Sequence, residues 1–226
     1  MTGAQDPHSG RWEQQSRIVK AVRQLYDERA NYDPSIEEIG RTAGINKALI
    51  YRHVTSKEEL VLLVYISYLT EIADLFQAID ENLEPRKQLD LLIEAYLDFA
   101  LRHPAYMHCV IALIRQPADE LARRVSMDVL VRVNRLNAVA TGRLSRVLGT
   151  GRDSGVFDPY PKDADLDYLT HLVYAAALGI LYVVHFGIGT RETTGPYPDL
   201  FMIDKDRAMP MLIDMLHAVV GVKKDS

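Results

Sequence analysis

One cysteine and one tryptophan are all that 226 residues contain of either type. A lone thiol, Cys109, excludes an intrachain disulfide, so packing alone must hold the fold, which suits a reducing compartment. No apolar segment opens the chain: residues 1–15 are polar and lack the hydrophobic region of a secretory signal. The longest apolar stretch, near 172–188, is interrupted by His185 and mixed with Gly, Ala and Tyr, too short and too mixed for a membrane span. A cytoplasmic protein with no membrane contact is therefore expected. Catalytic motifs are missing as well. There is no Gly-x-Ser-x-Gly and no P-loop, and Gly149-Thr150-Gly151 begins no dinucleotide fingerprint. His103, His108, His171 and His185 include no pair at the i, i+4 spacing of a helical zinc site. These absences give no catalytic residues, no metal ligands and no cofactor, and the chain is not expected to be an enzyme.

What is present is globular and helical. Hydrophobic residues make up 48% and charged ones 25%, enough for a sizeable core. The net charge of −5 conceals an asymmetry: nine Lys/Arg face seven Asp/Glu through Lys57, and seventeen face twenty-four beyond it. A basic head on an acidic body suits a protein that touches nucleic acid with one end. No period-2 strand pattern and no internal repeat stand out. The expected architecture is all-α with about nine helices, three in an N-terminal domain over 11–58 and six in a domain over 59–226, after a flexible tail at 1–10. The helices fall near 11–30, 35–43, 47–53, 57–82, 85–103, 104–115, 118–148, 165–187 and 204–220, with loops at 149–161 and 190–203.

Residues 35–54 carry the strongest functional signal. Ser35 and Glu38 form a capping box, Ile36, Ile39 and Ala43 share one face, and Gly44 supplies a stop. A second short helix follows at once, with Ile50 and Val54 on its apolar side. Ser56 and Glu59 open the next helix with another box. Two short amphipathic helices joined by a tight glycine turn and packed on a preceding helix make a helix-turn-helix. Asn46, Lys47, Ala48, Tyr51 and Arg52 lie outward on its second helix. Ala48 is small enough for close approach, Lys47 can donate to guanine, and Asn46 can bond adenine or a phosphate. Tyr51, His53 and Lys57 suit phosphates, and Ser35 joins them at the start of the preceding helix.

The run Ile36-Glu37-Glu38-Ile39-Gly40-Arg41-Thr42-Ala43-Gly44-Ile45-Asn46-Lys47-Ala48-Leu49-Ile50-Tyr51-Arg52-His53-Val54, continuing through Ser56-Lys57-Glu58-Glu59-Leu60, resembles the N-terminal domain of TetR-family regulators. Asn31, Gly40 and Val54 depart from residues common in that family. None of the three removes an outward-facing polar group. The resemblance implies a transcriptional regulator, a repressor released from a palindromic double-stranded operator by a small molecule. It also implies a homodimer formed through the last two helices.

Nine of the twelve tyrosines lie beyond Lys57, which points to a largely apolar ligand. Pocket candidates are Tyr65, Tyr68, Tyr96, Phe99, Tyr106, Met107, Met127, Asn134, Tyr174 and Tyr182. A rival reading makes the chain a helical carrier or enzyme whose N-terminal domain is structural.

Overall fold

The computed structural model describes residues 7–30, 32–159, 163–192, 195, 197 and 199–222, with side chains in the first helix from residue 13 on. Residues 1–6 and Asn31, singled out in the sequence, lie outside this set. The described residues form ten helices and one hairpin, an all-α fold whose first three helices are a helix-turn-helix domain. In chain order they are α1 (Pro7–Arg29), α2 (Ile36–Ala43), α3 (Lys47–His53), α4 (Lys57–Gln77), α5 (Pro85–Arg102), α6 (Pro104–Ile114), α7 (Ala118–Arg124), α8 (Met127–Asp153), α9 (Leu166–Phe186), β1 (Ile188–Arg191), β2 (Asp199–Met202) and α10 (Lys205–Val220). Helix α1 starts inside the stretch expected to be a tail. Two compact units divide the chain, one of residues up to Glu71 with His103–Asn137, the other of Ile72–Arg102 with Ala138 onward. That division differs from a single cut after residue 58.

In the first unit, one stripe of α1, Ile18, Ala21, Val22 and Leu25, is fully buried. Its polar side is used too. Arg23 forms an ion pair with Glu71 of α4, and its guanidinium lies 4.1 Å from the centre of the Tyr68 ring. The Tyr68 hydroxyl donates to Asp27 at 3.1 Å. The aromatics Tyr65 and Tyr106 stack at 5.8 Å, and Cys109, also on α6, is buried. Burial pushes that thiol up to about 12, which leaves it protonated and unreactive at neutral pH.

Where one helix was expected over 118–148, the structure has two. The chain breaks at Val125, whose backbone is extended and whose side chain is buried. The break has a tertiary cause. The Ser126 N–H donates to the Glu59 carboxylate at 2.8 Å, and the Thr55 hydroxyl donates to the same oxygen at 2.6 Å. Arg124 adds a salt bridge to Glu58 at 2.6 Å. Ser56 caps α4 by accepting from Glu59 N–H, but the Glu59 side chain turns away to Ser126 and does not complete the expected box. Glu59→Ala should therefore cost about 1–3 kcal/mol by stranding that N–H. The check is thermal unfolding, with a midpoint lower by several degrees; an unchanged midpoint would show the contact to be idle.

In the second unit, α9 packs on α5 and on α10, through Leu169, Val173, Ala177, Ile180 and Val184 of α9 and Leu216 and Val220 of α10. His217 of α10 lies 2.6 Å from Asp90 of α5. Beyond α10, Asp158 N–H donates to Gly221 O at 2.9 Å, and Phe157 bridges Val222. Gly221 sits at φ 68°, and a Cβ there would fall 2.0 Å from the Asp158 carbonyl oxygen. No alanine fits without parting the two segments. Gly221→Ala is expected to lower stability by about 1–3 kcal/mol, read as an earlier denaturant midpoint.

The segment 190–203, expected to be a loop, is partly a hairpin. β1 and β2 pair antiparallel with Ile188 opposite Met202 and Arg191 opposite Asp199. Four-residue strands are too short to show a period. Helix α9 also differs from expectation: it has 21 residues and contains an 18-residue stretch of mean hydropathy 1.7, long and apolar enough by length and composition to cross a membrane. Its apolarity has a local account, because two separate faces are apolar. One faces the unit's own core and the other carries Tyr168, Leu172, Tyr182, Val183 and Phe186 at the surface.

Candidate nucleic-acid interface

The turn between α2 and α3 is built almost wholly from local hydrogen bonds. Ser35 N-caps α2, its Oγ accepting from Glu38 N–H at 3.2 Å while its own N–H donates to the Glu38 carboxylate at 2.9 Å. Gly44 ends α2 in the left-handed conformation, and Ile45 N–H donates to Gly40 O at 3.0 Å. Gly40 allows this tightness, since a Cβ at that position would lie 2.8 Å from Ile45 O. The glycine that seems only to loosen α2 thus lets the turn close. Asn46 then caps α3, its Oδ1 accepting from Leu49 N–H at 2.8 Å.

Helix α1 holds this unit at both ends, by residues the sequence reading passed over. Arg17 donates to Ala43 O at 2.9 Å and so covers the carbonyl end of α2. Gln15, itself buried, donates to His53 O at 3.0 Å and closes α3. Neither contact leaves a local signature in the sequence. With Ile39, Ile50 and Val54 in the core, α3 is fixed with one face outward.

That outward face carries Asn46, Lys47, Ala48, Tyr51 and Arg52, all exposed, with Tyr51 at 57%. His53 is half-buried and Lys57, in the first turn of α4, is exposed. The structure adds duties to several of them. The Ser35 hydroxyl both accepts from and donates to Glu38, so capping is its work. Asn46 has its oxygen committed to the helix and keeps its amide nitrogen for an acceptor. Lys47 forms a salt bridge with Glu37 at 2.7 Å, and Lys57 pairs with Asp33. The hydrogen bond to Glu37 raises the Lys47 ammonium above its usual range and lowers the Glu37 carboxyl. Lys57 likewise lowers Asp33.

The ten pocket candidates do not form one set. Tyr65, Tyr68, Tyr106, Met107, Met127 and Asn134 belong to the first unit; Tyr96, Phe99, Tyr174 and Tyr182 belong to the second. Tyr65, Tyr68, Tyr106 and Met107 are core residues of α4 and α6, Tyr68 in edge contact with Tyr106 at 6.1 Å. Tyr96 and Phe99 are buried likewise, and Tyr96 tilts against Tyr174 at 6.1 Å. Met127, Asn134 and Tyr182 are exposed. Aromatics at helical spacing have here gone mainly into packing. A cleft of about 280 Å³ in the first unit lies elsewhere, between Tyr32, Asp33, Lys57, Val61, His108 and Leu113, and none of the ten lines it.

Residues 18–64 match the family model described as bacterial regulatory proteins, tetR family. Over this N-terminal segment the chain is similar to the tetR family. A curated relative, the HTH-type transcriptional activator FasR of Mycolicibacterium smegmatis, is 28% identical over 88 residues, 38% of this chain. The match spans only 40% of FasR's own length. Among solved structures, RolR in complex with resorcinol superposes with a TM-score of 0.66 at 16% identity, covering 96% of this chain and 91% of RolR. The fatty acid degradation regulator FadR of Bacillus halodurans gives 0.59 at 14% identity, over 92% of this chain and 99% of FadR. At such identities the TetR fold is what these structures share with this chain.

Proposed function

We propose that this chain is a homodimeric, sequence-specific DNA-binding regulator of the TetR family, a repressor that leaves a palindromic operator when a small, largely apolar molecule binds. The observation that carries the DNA reading is α3: buried on Ile50, capped at both ends, and outward on Asn46, Lys47, Ala48, Tyr51 and Arg52. A dimer would set two such helices in successive major grooves, roughly 34–36 Å apart.

The dimer reading rests on α9 and α10. Tyr168, Leu172, Ala175, Gly179, Tyr182, Val183 and Phe186 follow one another at helical spacing along an exposed face of α9. Phe186 is 63% exposed; on α10, Met211 reaches 71%. An apolar face of this length is unusual on a monomer, and two helices from each subunit would bury it as a four-helix seam. Cytoplasmic location follows from the DNA partner. For the ligand, RolR was solved with resorcinol, a small aromatic diol, and FadR is named for fatty acid degradation. Both are consistent with an apolar or aromatic effector, bound more tightly by one of two domain arrangements.

Lys47 and Lys57 provide the test. After selection of bound fragments from genomic DNA, Lys47→Ala should change the preferred base at one position of each half-site. Lys57→Ala should weaken every duplex alike, by roughly 10-fold, and flatten the salt slope by about two, one contact being lost in each half-site. Identical effects of the two substitutions on all sequences would refute base reading by Lys47. FasR, named as an activator, keeps activation open as an outcome of the same operator placed before a reporter gene.

A further inference from the structure

The two lysines that best serve a duplex are each held by a carboxylate, and the two pairs are built alike. Glu37 on the first turn of α2 reaches across to Lys47 on the first turn of α3, Oε1 to Nζ at 2.7 Å. Asp33, just ahead of α2, pairs with Lys57 at the start of α4. All four side chains are more than half exposed, so both pairs lie in water on the surface and not in the core. Arg52, exposed on the same helix, makes no ion pair among the described residues. The pairing is thus confined to the two lysines.

We infer that Glu37 is a specificity-determining residue, which occupies Lys47 until a matching base pair displaces it, while Asp33 screens Lys57 from the phosphates of every duplex alike. This rests on the reading of those lysines as DNA contacts. Non-specific binding is almost wholly the exchange of phosphate counterions for protein cations. A lysine already neutralised by a carboxylate brings little to that exchange, and the carboxylate left behind repels the phosphate that replaces it. Exposed ion pairs are weak, so a partner that offers more than a phosphate can open them. A matching site does so, because guanine O6 and N7 give Lys47 acceptors that an arbitrary sequence does not place there. Glu37 therefore penalises random DNA more than the operator, and the ratio of the two affinities rises, whereas Asp33 lowers both affinities alike.

The experiment uses the full-length dimer, with Glu37→Gln and Asp33→Asn made singly and together. Affinity is measured over a salt series for a selected site and for a scrambled duplex of equal length. Each substitution is expected to tighten the scrambled duplex by roughly 2- to 5-fold and, being present twice in the dimer, to steepen its salt slope by about 1.8. The selected site should gain less from Glu37→Gln, so specificity falls, and as much from Asp33→Asn, while the melting temperature stays put in both. Unchanged or weaker scrambled binding, at an unchanged slope, overturns the inference. Lys47→Ala and Lys57→Ala run alongside. If they weaken binding while the acid substitutions do nothing, the regulator reading stands and this inference fails. If no variant and no wild-type protein binds a duplex, the regulator reading itself has failed.

Discussion

Leu172→Glu should convert the protein to monomers and, with that, remove high-affinity operator binding. Leu172 lies in the exposed apolar stripe of α9 and takes no part in the buried face formed by Leu169, Val173, Ala177 and Ile180. The monomer should therefore fold normally. A twofold interface presents every substitution twice, and two carboxylates in a dehydrated seam lack partners. Their juxtaposition costs several kcal/mol, so the dimer should weaken by roughly 1,000-fold or more. Phe186→Glu, at the other end of the stripe, should act in the same direction. Analytical ultracentrifugation at micromolar protein reads the result directly. Dimers of unchanged affinity from both variants would show that the seam lies elsewhere. This substitution is a cleaner probe than truncation before Asp204, because α10 buries Leu216 and Val220 and its removal would expose the core.

Tyr51→Ala should abolish operator binding while leaving the fold intact. At 57% exposure the ring contributes little to the core, and the buried side of α3 rests on Ile50 and the cap residue Val54. The lost contact is worth about 1–2 kcal/mol in each half-site, so a dimer loses roughly 30- to 1,000-fold in affinity. Fluorescence anisotropy on a selected fragment measures this, with circular dichroism as the check on folding. A folded variant that binds as tightly as wild type would favour the rival reading, a helical carrier or enzyme with a structural N-terminal domain.

The helix-turn-helix was the most legible part of the sequence, because its signals are local. Ser35 with Glu38 and Gly44 as a stop do in the structure what short-range spacing implies, whereas Asn46, expected as a base or phosphate contact, also caps α3. Contacts between distant residues left no such trace. Arg17 and Gln15 look like ordinary polar positions of α1, yet they cap α2 and α3. The break at Val125 interrupts a stretch whose apolar periodicity runs on unbroken, and it exists because Glu59, 67 residues earlier, takes the Ser126 N–H. The aromatics are ambiguous in the sequence for a related reason. Periodicity shows which residues turn inward, but not whether a cavity or a neighbour meets them. Tyr65, Tyr68 and Tyr106 meet one another.

Binding of the wild-type protein to a random duplex pool at about 50 mM salt, the low end of the range in which phosphate contacts act strongly, shows whether α3 reads duplex DNA. Duplexes should be retained, with an affinity that falls steeply as salt rises, and selection should yield a palindromic site with half-sites one helical turn or a multiple of it apart. A folded dimer that retains no duplex under these conditions would contradict that reading.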